Sequence, residues 1–239
     1  MMRLPATIAT ACRILAVSGL VEHVLGHISA RLDVEEILVR CRGPQEAGLA
    51  YTTESDIKAV PGDLGGWTAP NELPIHTELM RRRPELTAVV HAHPPAVVAH
   101  SLLDAPLLPV YGAYDIPGAR LAADGIPVWA RSALITSADL AGAMADALGG
   151  KSVVVLRGHG LVSVAGGPPE QAVKQAVLQA VAVDTLARTH LAVLNAGGVP
   201  RAIGDADLAA LPDLGGGFTV DTMWRHLTRR LDTASAGKL

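Results

Sequence analysis

The chain has few cysteines, few aromatic residues and no excess of positive charge. Only two of its 239 residues are cysteines, Cys12 and Cys41, which excludes a disulfide framework and disfavours a thiolate zinc site. Aromatic residues make up 3% of the chain and apolar residues 49%, so we expect an aliphatic core of alanine, valine and leucine. A net charge of -3 provides no basic surface for a nucleic-acid partner.

Long apolar runs near the N-terminus are also missing. The uncharged segment 14–21 is too short for a membrane span, and Arg13 interrupts the stretch that would otherwise resemble a secretory signal. We therefore expect a cytoplasmic protein without a membrane partner. A single domain covering residues 1–239 would bury roughly 70–75% of the surface that the unfolded chain exposes, which is enough for a core without disulfides.

Helical and strand patterns mix throughout the chain, which predicts one α/β domain. The predicted helices are 4–25, 71–83, a segment ending near 103, 136–148 and 169–195, with a short helical turn at 53–56. The predicted strands are 27–33, 37–42, 87–93 and 152–164, the last broken by a tight turn at 158–160. Residues 104–130 are predicted to be rich in loops, and the residues after Gly198 to form a short tail.

His91 and His93 are the first candidate site residues. They lie two apart in a predicted strand, so both side chains leave the same face of the sheet. The prolines directly after them end the strand, which places the pair at an edge where a cleft can form. Two neutral imidazoles suit a divalent cation, although a bare His-x-His pair is more often not a metal site.

His159 and Glu72 extend this candidate set. Glycines on both sides of His159 suit a tight bend that a ligand can approach closely. Glu72 begins a predicted helix, with His76 one turn later, either orienting Glu72 or packing beneath the helix. Three histidines are a common ligand set for a catalytic zinc-type ion with one open position. Taken alone, however, His159 is as readily a turn residue, and Glu72 as readily a capping acid favoured by the helix dipole.

Several separated motifs occur together in one order. They are Gly26–Arg31 (GHISAR), Glu72-x3-His76, Arg83-Pro84, Ala88–His93 (AVVHAH) and His159-Gly160-Leu161. Their types and order resemble the class II aldolase/adducin family, over about residues 8–195. The resemblance implies a three-layer α/β/α sandwich with a mostly antiparallel central sheet. It also implies subunits that often form tetramers with active sites at their interfaces.

The same resemblance implies roles for the candidate residues. His91, His93 and His159 would bind one divalent metal ion per subunit, and Glu72 would be the catalytic acid/base. Imidazole suits Zn, Mn and Co alike, and Fe is not excluded.

The chain departs from the sugar-phosphate members of the family at the elements that hold phosphate. His27 stands where those members have asparagine, and Pro70-Asn71 replaces a pair of serines before the glutamate. A short branch of the family resembles this chain in length and in these changes. That branch decarboxylates ortho-hydroxylated aromatic or pyridine dicarboxylates. Since guanidinium groups pair with carboxylates as planar forks, we predict that the substrate-binding residues are His27, Ser29, Arg31, Arg40, Arg42, Tyr111 and Arg157.

The favoured hypothesis is a metal-dependent carbon–carbon lyase that decarboxylates an ortho-hydroxylated aromatic or heteroaromatic carboxylate through a metal-stabilised enolate. The alternatives are an aldolase or epimerase acting on a sugar phosphate or a small aldol, an iron-dependent oxygenase, and a non-catalytic adducin-like scaffold. A scaffold would have eroded ligands, whereas here the three histidines and the glutamate are all present. The expected partners are a small-molecule carboxylate and further copies of the chain, with a homotetramer favoured.

Overall fold

The structure is a computed structural model that describes residues 3–235. Within that range the regular elements are α1 (Leu4–Val17), β1 (His27–Arg31), β2 (Ile37–Arg40), β3 (Ile57–Val60), α2 (Leu73–Arg82), β4 (Leu86–Ala92), α3 (Pro95–His100), α4 (Ile116–Asp124), β5 (Val128–Trp129), α5 (Ala138–Leu148), β6 (Val153–Leu156), β7 (Gly160–Gly166), α6 (Pro169–Asn195), α7 (Asp205–Ala210) and α8 (Gly216–Ser235). Two 3-10 turns, Leu49–Tyr51 and Glu54–Asp56, lie between β2 and β3.

The strands of residues 3–235 form one sheet in the order β3-β2-β1-β4-β7-β6-β5. Neighbours are antiparallel throughout this sheet except at its far edge, where β5 runs parallel to β6. In the centre, β1 pairs with β4 so that His27 lies opposite His91. The predicted mostly antiparallel central sheet is therefore confirmed.

Helices cover both faces of the sheet. On one face α6 packs against β4, β7 and β1, and α1, α3, α4 and α8 pack around it. On the other face α2 packs against β4, and α5 packs against β5 and β6. Alternate strand residues feed two aliphatic clusters, with Val90 on the α6 face and Val89 on the α2 face. This arrangement is the predicted three-layer α/β/α sandwich.

Helix α6 supplies much of the core on its face. It is long and apolar enough to cross a membrane by length and composition alone, but half of that apolar window is buried inside the domain. Val173, Val177 and Ala180 are fully buried in the cluster that packs against the sheet. The apolar character of α6 is thus accounted for by packing within the domain.

The first helix ends eight residues earlier than predicted. It stops at Val17 because Gly19 adopts a left-handed conformation with φ of 74°. The Gly19 N–H donates to the Ala16 carbonyl and the Leu20 N–H to the Leu15 carbonyl, so two carbonyls of the last turn have partners beyond the helix. Residues 20–26 then run as a connection that leads into β1 at the candidate site.

Several elements fall in segments predicted as loop or tail. The segment 104–130 contains α4 and β5, and Pro117 is the second residue of α4, so this proline starts a helix instead of breaking one. Strand β3 follows the predicted turn at 53–56, and α7 and α8 occupy the predicted tail. Trp224 of α8 is buried in the core, and α8 packs against α1 and α6.

Candidate metal centre

Four candidate residues from three parts of the fold meet at one end of the sheet. Glu72 stands at the N-terminus of α2, His91 lies in β4, His93 follows that strand, and His159 lies in the turn between β6 and β7. Because β4 pairs with β7, the turn that carries His159 sits beside the end of β4. One ligand atom from each of the four side chains lies within 4.8 Å of all the others.

The spacing of these atoms fits a single ion. The Nε2 atoms of His91 and His93 are 2.8 Å apart. Glu72 Oε2 lies 3.2 Å from His91 Nε2 and 3.6 Å from His159 Nε2. At metal–ligand distances of about 2.0–2.1 Å, neighbouring donors of a tetrahedral site are about 3.3 Å apart. The observed distances bracket that value, so the residues that sequence reasoning selected are brought together, and their binding of a metal remains a prediction.

The protonation of the histidines also suits a cation. His91 Nδ1 lies 2.9 Å from the Leu161 carbonyl oxygen, and since a carbonyl can only accept, Nδ1 carries the hydrogen. Nε2 of His91, which faces the cluster, is then the nitrogen available to bind a metal. Burial, reinforced by the neighbouring imidazoles, lowers the pKa of His93 to about 3, so this ring is neutral. The donor set of three imidazoles and one carboxylate therefore fits a divalent ion.

Glu72 does not act as a helix cap. Among the described residues its side chain makes no capping hydrogen bond; Oε1 instead accepts the Ile135 N–H at 2.8 Å. Its other oxygen points at the histidines. Burial raises the pKa of Glu72, but the adjacent His159 and His91 rings and the Ile135 N–H outweigh that effect and hold the pKa well below its ordinary value. Glu72 is therefore an ionised carboxylate inside the cluster.

Three further buried groups extend from the cluster into the protein. His27 Nε2 is 3.9 Å from Glu72 Oε2, and His27 Nδ1 is 2.6 Å from His76 Nε2. His76 Nδ1 is 2.6 Å from the Ser29 hydroxyl. The fully buried His76 thus bonds to His27, and it neither orients Glu72 directly nor merely packs beneath α2.

A pocket opens beside the cluster. Its lining includes His27, Arg40, Arg42, Glu72 and His93. Two of the predicted substrate-binding arginines therefore reach the same pocket as the candidate ligands. Arg40 is buried and pairs with Glu46, while Arg42 Nη2 donates to Asn71 Oδ1 at 3.2 Å.

Other predicted substrate-binding residues lie elsewhere. Arg31 is at the far end of β1, where its guanidinium donates to the carbonyls of Leu86 at 3.1 Å and Met80 at 2.8 Å. Arg157 points to Asp104.

Tyr111 and Ser29 also lie away from the pocket lining. Tyr111 packs on the α6 face of the core beside Tyr114. Ser29 is fully buried behind His76. For Ser29 and Tyr111, as for Arg31 and Arg157, nearness to a motif in the sequence did not reveal the direction of the side chain.

Sequence reasoning gave no role to two residues that matter in the geometry. Asn71 lines the pocket and accepts from Arg42, and the signal for it was its place directly before Glu72. The Ile135 N–H holds Glu72 in place. A main-chain donor in a loop leaves no signal in a single sequence.

Comparisons with known proteins identify the family of this chain. The Class II Aldolase and Adducin N-terminal domain matches residues 6–191. The chain belongs to the class II aldolase/adducin family. Within this family it is similar to proteins named 3,4-dihydroxyphthalate decarboxylase. The Arthrobacter keyseri protein is 53% identical over 236 residues, covering 95% of this chain and 93% of the relative. The Terrabacter sp. (strain DBF63) protein is 50% identical, covering 94% and 95%.

Solved structures of the class II aldolase/adducin family share the fold. An aldolase II superfamily protein from Pseudomonas syringae matches with a TM-score of 0.79 at 23% identity, covering 97% of this chain and 92% of that one. L-fuculose-1-phosphate aldolase from Thermus thermophilus matches with a TM-score of 0.69 at 27% identity, covering 84% and 98%. The predicted family, its fold and the resemblance to its aromatic-carboxylate decarboxylase branch are confirmed.

Proposed function

We propose that this chain is a metal-dependent decarboxylase of an ortho-hydroxylated aromatic dicarboxylate, with 3,4-dihydroxyphthalate as the leading substrate. Three relatives with that activity in their names are 47–53% identical to it over nearly their full length. The observation that carries the proposal is the buried carboxylate of Glu72, which lies among the imidazoles of His91, His93 and His159 beside a pocket whose lining includes two arginines.

The lining of the pocket suits a substrate with more than one carboxylate. Arg42, already joined to Asn71, presents a planar fork that can pair with a carboxylate through two hydrogen bonds. Arg40 and His27 line the same space, so cationic and polar donors face the substrate from more than one side. The serine pair that precedes the glutamate in sugar-phosphate members is absent here. These features favour a dicarboxylate over a sugar phosphate.

The chemistry follows from the position and charge of Glu72. A divalent cation held by His91, His93 and His159 would supply a Lewis acid that draws electron density from the phenolic oxygen beside the departing carboxylate. Glu72 is ionised, so it first accepts the proton of that phenol. It then delivers this proton to the ring carbon that bears the carboxylate, which places a carbonyl next to that carbon.

The carbon–carbon bond then breaks, carbon dioxide leaves, and the electron pair restores the aromatic ring. A solvent proton returns to the phenolic oxygen, so in the net reaction one proton replaces one carboxyl group. In 3,4-dihydroxyphthalate the carboxylate adjacent to the 3-hydroxyl is the one activated in this way. The expected product is therefore 3,4-dihydroxybenzoate, and loss of the other carboxylate would give the 2,3-isomer instead.

The test is metal-dependent turnover by the purified chain. Protein stripped with a chelator and reloaded with Mn²⁺, Co²⁺, Zn²⁺ or Fe²⁺ should release carbon dioxide from 3,4-dihydroxyphthalate, with 3,4-dihydroxybenzoate identified by chromatography. A His93→Ala variant should be inactive, while His226→Ala, which alters an exposed histidine of α8, should match the unaltered protein. Turnover of L-fuculose 1-phosphate without release of carbon dioxide would reject the proposal in favour of an aldolase.

We propose in addition that the chain acts in the cytoplasm as a homo-oligomer, with a tetramer favoured. Leu25 and Leu134 line the pocket and remain 48% and 54% exposed, and Leu102 nearby is 59% exposed. Assembly would remove such apolar surface from water. Sedimentation equilibrium of the purified chain should give a mass about four times that of one chain, and a monomer at micromolar concentration would contradict this assembly.

A further inference from the structure

A chain of buried polar groups links the interior of the protein to the pocket. Ser29 and His76 are fully buried and His27 is 7% exposed. The Ser29 hydroxyl lies 2.6 Å from His76 Nδ1, and His76 Nε2 lies 2.6 Å from His27 Nδ1. One ring nitrogen of His27 is thus used by the interior, and its Nε2 faces the pocket side, where Glu72 lies.

The surroundings of His27 Nε2 determine which group donates and which accepts in each of these hydrogen bonds. Its neighbour at 3.9 Å is the carboxylate oxygen Oε2 of Glu72, which serves as a hydrogen-bond acceptor. A nitrogen lone pair facing that oxygen would be repelled, whereas an N–H facing it is attracted. With the hydrogen on Nε2, His27 Nδ1 accepts from His76 Nε2–H. The remaining nitrogen of His76 then accepts from the Ser29 hydroxyl, which can donate.

We propose that Ser29 and His76 are positioning residues that hold His27 as its Nε2–H tautomer, so that His27 donates a hydrogen bond to a carboxylate oxygen of the substrate. This inference rests on the proposed decarboxylase function for the identity of the ligand, but not for the tautomer itself. It gives Ser29 a role in substrate recognition without contact, and it separates His27 from the residues that bind the metal.

A purely structural role for Ser29 and His76 makes different predictions. If Ser29 and His76 were only a hydrogen-bonded pair in the core, removing one of them would lower stability. It would not change KM while leaving kcat as it was. A tautomer lock acts on a single hydrogen bond to the bound substrate. Its loss should therefore weaken substrate binding while leaving metal content and the chemical step close to their original values.

The first experiment compares two buried serines. Ser29→Ala removes the hydroxyl that ends the chain, and Ser163→Ala removes a fully buried hydroxyl of β7 that accepts from Gln179 at 3.0 Å, outside the site. For Ser29→Ala we expect KM for 3,4-dihydroxyphthalate to rise about tenfold, which is about 1.4 kcal/mol. Its kcat should stay within about threefold and its metal content should be unchanged. Ser163→Ala should leave KM unaltered.

Two variants of His27 test the position of the donor. The amide nitrogen of His27→Gln can occupy a place close to that of Nε2, whereas the shorter side chain of His27→Asn mimics the Nδ1 side of the ring. We expect the glutamine variant to retain a KM at least about fivefold lower than that of the asparagine variant. The reverse order would overturn the assignment of the hydrogen to Nε2.

The second experiment reads the tautomer directly. Nitrogen-15 spectra of the zinc-loaded chain with labelled histidines should show His27 protonated at Nε2 and unprotonated at Nδ1, and a mixed signal in Ser29→Ala. His27 protonated at Nδ1 in the unaltered protein would overturn the inference, even if Ser29→Ala fails to fold. An unaltered protein that releases no carbon dioxide would instead refute the proposed function, and the spectra would still decide the tautomer.

Discussion

Replacing Glu72 with glutamine separates the chemistry of the site from its architecture. Glutamine has the same shape, so its carbonyl oxygen can keep the hydrogen bond that Glu72 Oε1 accepts from the Ile135 N–H. What the substitution removes is the negative charge and the capacity to take up a proton. The variant should therefore fold, and its melting temperature should fall by no more than about 2–4 °C, which corresponds to about 1 kcal/mol for a chain of this size.

The expected loss of rate follows from the two tasks assigned to this carboxylate. A positioned acid or base contributes roughly 10²–10⁴-fold, and Glu72 both accepts the phenol proton and delivers it to the ring carbon. We expect kcat to fall in the upper part of that range, by about 10³–10⁴-fold, or about 4–5.5 kcal/mol at 1.36 kcal/mol per factor of ten. Its 4% exposure leaves little room for bulk water to replace it.

The assay is steady-state release of carbon dioxide by metal-loaded protein, with bound metal measured on the same samples. Glu78→Gln is the matched control, because Glu78 is a buried glutamate on the same helix that pairs with Arg81 and Arg82, away from the pocket. This control should lose stability and keep kcat. If Glu72→Gln retained its metal and kept kcat within threefold of the unaltered protein, Glu72 would not be the acid/base.

Three further outcomes are expected. His159→Ala should weaken metal binding by more than about 100-fold in equilibrium dialysis, since even the outer partners of metal ligands are worth 10–100-fold; unchanged affinity would remove His159 from the site. Gly160→Ala should abolish activity and lower the melting temperature, because the added Cβ would lie only 2.3 Å from the Ala92 carbonyl oxygen; an active variant with unchanged melting would show that β7 can shift freely. Burial, aided by His190, lowers the pKa of His100 from 6.5 to about 4. The unfolded chain therefore binds a proton before the folded one does, and stability is lost as the pH falls through that interval. The urea midpoint of His100→Gln should fall less between pH 7 and pH 5 than that of the unaltered protein, and equal losses would refute this.

The candidate site was predictable from the sequence to the extent that its residues sit in ordered motifs. The alternation of a strand predicts that His91 and His93 share a face, and the glycines around His159 predict a turn. The convergence of these motifs with Glu72 depends on pairings between distant segments, such as that of β4 with β7. Pattern within a segment does not give such pairings, and the family resemblance supplied them.

The substrate-binding residues were harder to predict because a motif does not define where a long side chain ends. Arg31 and Arg42 are both arginines on or beside the central strands, yet Arg31 turns to the carbonyls of Leu86 and Met80 while Arg42 faces the pocket. The missed elements have a similar cause. The prolines in 104–130 favour loops when the sequence is considered alone, yet proline also suits the first turn of a helix, and Pro117 occupies that position in α4.

The pairing of His27 with His91 across β1 and β4 has a consequence for how the protein can change. Side chains alternate between the faces of a sheet. Inserting one residue within β1 would therefore turn the imidazole of His27 toward α6, into an aliphatic layer that offers it no polar partner. Insertions in the β1–β2 hairpin, at 32–36, leave this alignment untouched. The hairpin can therefore change in length during evolution. The residue spacing along β1 and β4 cannot, because it keeps His27 and His91 on the face where the site lies.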